Sequence, residues 1–244
     1  MKFLYIIVAA CLGLLETSHC QIPVRYIRAT ELAKRWDEGM PLGNGLLGAM
    51  VWNKNGNIRF ALDQAELWDE RPMKDLHGPH FSYQWVEENW KAGTYKKVQE
   101  ALDHPYDREP APTKIPGAAI ELPLSIVGVN AEVVLDLFTA SVEIKGKNGV
   151  EIKSFVDANQ QKGWIKITNL KSVFFTSLIV PPYQNKVVSV GDVVGGDDLG
   201  RLGYTKATID SGNNFKSFLQ KGWDKFSYRS TMQWNQKENE VTII

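Results

Sequence analysis

The sequence predicts a mainly β protein, a large antiparallel β-sandwich with a few short helices. Two observations carry most of that expectation. From Ala118 onward, short apolar or alternating runs recur with turns at intervals of roughly 8–12 residues, the rhythm of sandwich strands. Upstream, the apolar runs Leu46–Trp52 and Ile58–Leu62 flank Asn53-Lys54-Asn55-Gly56, and an Asn-Gly pair between two such runs marks a β-hairpin. A third observation sets the scale. With 43% hydrophobic and 23% charged content, 244 residues have room for one large soluble β domain or two small ones.

Taken in order, residues 1–20 read as an export signal. Lys2 gives a positive start, Phe3–Leu15 is apolar, and Ser18-His19-Cys20 offers small residues at the −3 and −1 places of a cleavage site. The apolar stretch is shorter than the ~20 residues of a membrane span. The protein is therefore expected to be periplasmic or extracellular, cleaved near Cys20 to begin at Gln21, with residues 21–244 forming the β-sandwich. Lipid anchoring fits less well, because His19 precedes Cys20 and anchoring at Cys11 would leave too short an apolar region. Both cysteines lie in this leader, so the exported protein has no disulfide and no cysteine metal site. A packed core must hold it together.

The remaining elements follow the period of the apolar residues. Gln21–Arg28 alternates as an opening strand through Ile22, Val24 and Tyr26. Thr30–Met40 has helix-like spacing of Leu32, Ala33 and Trp36, ended by Gly39 and Pro41. Phe81–Asp103 is the most helical stretch. Trp85, Val86, Asn89 and Trp90 share one face, Gly93 breaks it, and Thr94 caps a continuation through Tyr95, Val98, Gln99 and Leu102. Pro105, Pro110, Pro112 and Pro116 mark a loop. Strands are expected at Ile120–Val127, Ala131–Lys145, Val150–Asp157, Gly163–Asn169 and Val173–Val180. Turns fall at Gly128-Val129-Asn130 and Lys147-Asn148-Gly149, and the apolar run within Glu132–Phe138 suggests a strand covered on both faces. Gly191–Gly203, rich in Gly and Asp, reads as a mobile or docking loop. A short helix around Asn213–Gln220, a strand at Phe226–Trp234, a turn at Asn235–Asn239 and a β-branched run to Ile244 complete the chain. That last run has no turn or polar tail beyond it, so the domain reads as incomplete at its C-terminus.

Several function classes find no support. Gly43, Gly45 and Gly48 spell G-x-G-x-x-G, and Asp63 lies twenty residues after Gly43, as in a dinucleotide-binding unit. No buried strand precedes these glycines and no helix follows them, so the context excludes that use. Net charge is zero, from 28 basic and 28 acidic residues, which argues against nucleic acid or anionic membrane as a partner. His77-Gly78-Pro79-His80 lacks a third zinc ligand, and Asp197-Asp198 fits no EF-hand, so neither metal nor cofactor is expected. Eight tryptophans are plentiful for this length. Trp stacks on sugar rings and also fills sandwich cores, and the core use is expected for most of them.

One ordered pattern points to a family. Trp36 and Glu38 precede Pro41-Leu42-Gly43-Asn44-Gly45, then Leu47–Val51, a hairpin, and Leu62-Asp63-Gln64-Ala65-Glu66-Leu67-Trp68. This resembles the opening of glycoside hydrolase family 95, the α-L-fucosidases and their relatives. Thr113–Ala118 and Lys221–Tyr228 look like further segments of a bacterial branch of such enzymes. The resemblance runs from about Thr30 to the chain end and is most specific between Trp36 and Trp68. It implies an N-terminal β domain that packs on an (α/α)6 catalytic barrel and helps shape its sugar site. The implied substrate is a terminal L-fucose or related galactose, removed with inversion. The catalytic acids of these enzymes lie in the barrel, which no stretch of this sequence can form, so no residue here is carried over as catalytic. A free-standing carbohydrate-binding module and an inactive gene remnant are the alternatives.

Trp36, Asn44, Asp63, Glu66 and Trp68 are the candidate substrate or domain-seam residues. Asn44, between two glycines, offers its amide either to a sugar or barrel seam or to its own turn. Asp63 sits at a strand mouth, where site residues often lie. Alternatively it caps a following turn or helix, with Glu66 three residues on as its capping-box partner.

Overall fold

A computed structural model describes residues 25–73, 78–108, 112–171, 176–184 and 199–244. The first strands are β1 (Tyr26–Ala29), β2 (Met40–Gly43), β3 (Leu47–Lys54), β4 (Asn57–Gln64) and β5 (Trp68–Asp69). Two helices follow, α1 (Tyr83–Lys91) and α2 (Tyr95–Arg108), and then β6 (Thr113–Lys114) and β7 (Ala118–Pro123). The chain continues with β8 (Glu132–Asp136), β9 (Ser141–Lys145), β10 (Glu151–Val156), β11 (Gly163–Thr168) and β12 (Ser177–Ile179). The last strands are β13 (Thr208–Ser211), β14 (Phe215–Lys221), β15 (Ser227–Lys237) and β16 (Glu240–Ile243).

The expected sandwich is present. A nine-stranded sheet, ordered β1-β8-β9-β10-β11-β16-β15-β14-β13, packs on a five-stranded sheet ordered β12-β7-β4-β3-β2, and β5 pairs with β6. One core joins them: Val51, Phe60, Ile120 and Leu122 from the smaller sheet meet Val133, Leu135, Ile144, Ile152, Ile167 and Phe218 from the larger. Alternation supplies these faces, since successive side chains of a strand point to opposite sides. The Asn55-Gly56 hairpin forms as read, with both residues at positive φ, 51° and 82°. That is the backbone twist which joins two right-twisted strands in so short a turn. Val133, Val134 and Leu135 are all buried, so β8 is covered on both faces.

The differences have local causes. Asn213–Gln220 is not a helix: β14 pairs with β13 on one side and β15 on the other, and that pairing overrides local helical spacing. Thr30–Met40 yields only a 3-10 turn at Trp36–Glu38, because Ala33 gives its carbonyl to the Asn53 N–H (2.8 Å) and Leu32 enters the core. Ala131–Lys145 divides into β8 and β9. The Asp136 carboxylate accepts the N–H groups of Phe138 and Thr139 and folds the chain back there. The strand from Ile120 stops at Pro123 and passes into a 3-10 turn at Leu124–Ile126. Helix α2 continues past Pro105 to Arg108, where a loop was expected. The final run is no open edge: β16 lies between β11 and β15, with Val241 and Ile243 in the core.

The tryptophans also depart from expectation. Trp52 is buried, but Trp36, Trp68, Trp90 and Trp223 are at least 41% exposed. The leader, His77, Asp197-Asp198 and the first part of the Gly191–Gly203 loop fall outside the described residues. Among the described residues no helix is long and apolar enough to cross a membrane.

Candidate functional site

Three separated stretches that carried the family resemblance meet at one end of the sandwich. The hairpin register sets Gly43 opposite Gly48 and Gly48 opposite Asp63, so the β2–β3 loop lies over the end of β4. The G-x-G-x-x-G glycines therefore belong to a strand–loop–strand unit with no helix after them. Gly45, at φ 91°, takes a backbone conformation that other residues adopt only with strain.

Asn44 is fully engaged here. Its side-chain oxygen accepts the N–H groups of Leu46 (2.9 Å) and Leu47 (2.8 Å), which closes its own turn. Its amide nitrogen donates to the carbonyls of Asp157 (2.8 Å) and Gln160 (3.1 Å) in the β10–β11 loop of the opposite sheet. Two acceptances and two donations use the bonding capacity of a primary amide. The turn role considered for this residue is thus present, and its amide nitrogen joins the two sheets of this domain.

Asp63 and Glu66 lie beside that loop. No helix follows Asp63. Its carboxylate pairs with the Lys114 ammonium, which also donates to the carbonyls of Gln64 (2.7 Å) and Leu67 (3.3 Å). Glu66 meets the Gln64 amide at 3.1 Å rather than completing a capping box. Trp68, 42% exposed, donates its indole N–H to Ala65. Asn44, Asp63, Glu66 and Trp68 therefore gather at one end. Trp36 does not, because it precedes Met40, which pairs with Val51 well along β3 from the loop.

The most constrained acid at this end is Asp69, fully buried on the other side of β5 from Trp68. One carboxylate oxygen accepts the backbone N–H (3.0 Å) and Nε (2.9 Å) of Arg71. The other accepts Arg71 Nη2 (2.7 Å) and the Tyr204 hydroxyl (2.6 Å). Burial works against the charge, but the hydrogen bonds from Arg71 and Tyr204 outweigh it and hold the carboxyl below the usual carboxylate range. Tyr204 is pushed up, first by burial and then by its bond to Asp69.

An apolar cluster surrounds this acid: Leu67, Ile115, Tyr183, Leu199, Leu202 and Tyr204, with Phe226 and Tyr228 packed against it. The Tyr183 and Tyr228 hydroxyls meet at 2.9 Å, and Tyr228 donates to the Pro116 carbonyl (3.0 Å). Burial raises both tyrosines. Gly117 packs so tightly that a Cβ there would come within 2.8 Å of the Leu62 carbonyl oxygen. Leu62–Trp68, Thr113–Ala118 and Lys221–Tyr228 thus interlock around Asp69. With both its oxygens engaged and no exposure, Asp69 orders this end of the domain and does not present a proton to a substrate in solvent. The sequence reading missed Asp69 and Arg71, for which the Asp-x-Arg spacing is the one local signal. Tyr204 and Tyr183, far along the chain, carried no such signal.

At this end of the β-sandwich Asp69 is bound within the domain, while Asp63 and Glu66 lie at the surface beside the β2–β3 loop. Residues 27–105, about a third of the chain, match the model described as glycosyl hydrolase family 65, N-terminal domain. That match covers β1 through most of α2 and includes every candidate residue from Trp36 to Trp68, and it agrees with the coarser expectation of a glycoside hydrolase N-terminal domain. The family named is 65 rather than 95. No curated protein matches the chain.

Proposed function

We propose that this chain is the N-terminal β-sandwich of an exported, α-L-fucosidase-like glycoside hydrolase of the family 95 kind. It packs on an (α/α)6 catalytic domain and fixes the loops at the mouth of its sugar site. The substrate is a terminal L-fucose or galactose-like residue, removed by inversion. The single observation that supports this best is the interlocking of Leu62–Trp68, Thr113–Ala118 and Lys221–Tyr228 around Asp69, which builds one packed end from three segments that share the resemblance to such enzymes. A rigid end serves a site formed between domains, because catalysis depends on groups held in place before substrate arrives.

This role requires that the same gene or an adjacent one encode a helical domain with paired acids. Sequencing the locus through codon 244 and several hundred codons onward tests it. The expected product, expressed whole, hydrolyses 4-nitrophenyl α-L-fucopyranoside and releases the inverted anomer first by NMR. A locus with no such domain, or a product active on neither fucoside nor galactoside, overturns the proposal.

A further inference from the structure

We infer that the outer face of the nine-stranded sheet carries a carbohydrate subsite, formed by Phe155, Trp164 and the exposed loop 157–162 and held in position by Asn44. The ligand class rests on the glycoside hydrolase reading above, whereas the location rests on geometry alone.

Phe155 and Trp164 are direct cross-strand partners on β10 and β11. Their neighbours Ser154 and Ile165 are buried toward the core, so the two rings stand on the opposite, outer face. The ring planes lie 13° from parallel with centroids 6.3 Å apart, and Phe155 is 38% exposed. Trp164 is partly exposed with its indole nitrogen buried, so Phe155 is the more open ring of the pair. Trp90 and Tyr95, both exposed, stand at 86° and cannot offer similarly directed faces to one ligand. A pyranose has an apolar face of weakly positive C–H groups, which suits the negative face of an aromatic ring.

The surroundings fit a neutral ligand bearing hydroxyls. Several charges on this face pair with one another: Arg28 with Glu132 (2.9 Å), Glu143 with Lys153 (2.9 Å) and Lys145 (3.4 Å), and Lys166 with Glu240 (3.0 Å). Lys153 and Lys166, which flank the rings along their strands, are therefore both engaged in ion pairs. Beyond the rings the loop exposes Asn159, Gln160, Gln161 and Lys162. Side-chain amides both donate and accept, as sugar hydroxyls require.

The loop is also fixed in advance. The Asp157 carboxylate accepts the N–H groups of Asn159 (2.9 Å) and Gln160 (3.1 Å), while the Asn44 amide grips the Asp157 and Gln160 carbonyls from the other sheet. A loop ordered before binding loses less entropy when the ligand arrives. Asn44 is on this account a positioning residue for a site it does not touch.

Calorimetric and tryptophan-fluorescence titration of the full chain tests this, with cellohexaose, methyl α-L-fucopyranoside and methyl β-D-galactopyranoside as probes. The expected result is saturable binding of at least one probe, weakened about tenfold or more by Trp164→Ala and by Phe155→Leu, as loss of a stacking face implies. Phe155→Leu keeps an apolar side chain at this position, so the test survives if the alanine variant fails to fold. Trp90→Ala binds as the parent does. Asn44→Ala weakens binding while its melt stays cooperative. Failure of the folded parent to bind any probe, or unchanged binding in folded Phe155→Leu and Trp164→Ala, overturns the subsite. Neither outcome bears on fucoside hydrolysis by the whole enzyme, which fails or stands separately.

Discussion

Asn44 and Asp69 show how single side chains set the geometry at this end. Asn44→Ala removes two donated and two accepted hydrogen bonds and strands the Asp157 carbonyl, which is partly shielded from water. A loss of about 1–3 kcal/mol is expected, because an unsatisfied buried group costs its full desolvation. Urea unfolding measures it, and a change below the error of the fit would show that the amide is dispensable. For Asp69, removing the partner is the harsher change: Arg71→Ala leaves a buried carboxylate without its counter-charge, held by the Tyr204 hydroxyl and the backbone N–H of residue 71, and breaking such a pair costs about 3–5 kcal/mol. The pH dependence follows from the depressed carboxyl. Its stabilisation is fully present above the unfolded value near 4 and is lost as pH falls through the lower folded value. A stability profile from pH 6 to 2 should show that loss in the parent and a flatter curve in Asp69→Asn.

At the scale of elements, the β3–β4 hairpin is the local unit that the sequence specifies most strongly. Gly56 has φ 82° with open space around it, so a substitution there strains the backbone without a clash. Gly56→Val is expected to cost about 1–2 kcal/mol, the penalty of a left-handed conformation for a branched residue. A thermal melt indistinguishable from the parent's would mean that the turn relaxes. Further along β3, Lys54 is lowered to about 8, chiefly by burial and secondarily by the nearby Arg59. Its charge therefore opposes folding at neutral pH, and that opposition lifts as pH rises through 8 toward the unfolded value. The helix pair behaves differently. Tyr83 and Trp90 are 81% and 70% exposed, so the helices present aromatic surface that these elements do not cover. Trp90→Ala should change stability by less than about 1 kcal/mol, since the ring is 70% exposed and its edge contact to Tyr95 is what is lost among the described residues.

Across the whole molecule, the two sheets share one core, and Asn44 and the Asp69 cluster tie their margins together at one end. Export is the molecular-scale expectation that a single measurement checks. N-terminal sequencing of protein recovered outside the cytoplasm should begin at Gln21, and recovery only of chains beginning at Met1 would count against a cleaved signal. A protein that reaches such a compartment with no cysteine after position 20 depends on this core alone.

Sequence alone determined the β class, the Asn55-Gly56 hairpin, the double coverage of β8 and the helical stretch near Trp85, because each follows from spacing within a few residues. It also located Asn44, Asp63, Glu66 and Trp68 within one ordered motif. Tertiary structure decided what those residues do. Asn44 meets a loop 113 positions away, Asp69 meets Tyr204 at a separation of 135, and Phe155 meets Trp164 only through strand register. It likewise turned 215–221 into a strand and set β16 between two neighbours. The physical reason is common to all of these: short-range periodicity records which face of an element is apolar, whereas hydrogen-bond partners across sheets depend on pairings that close long loops.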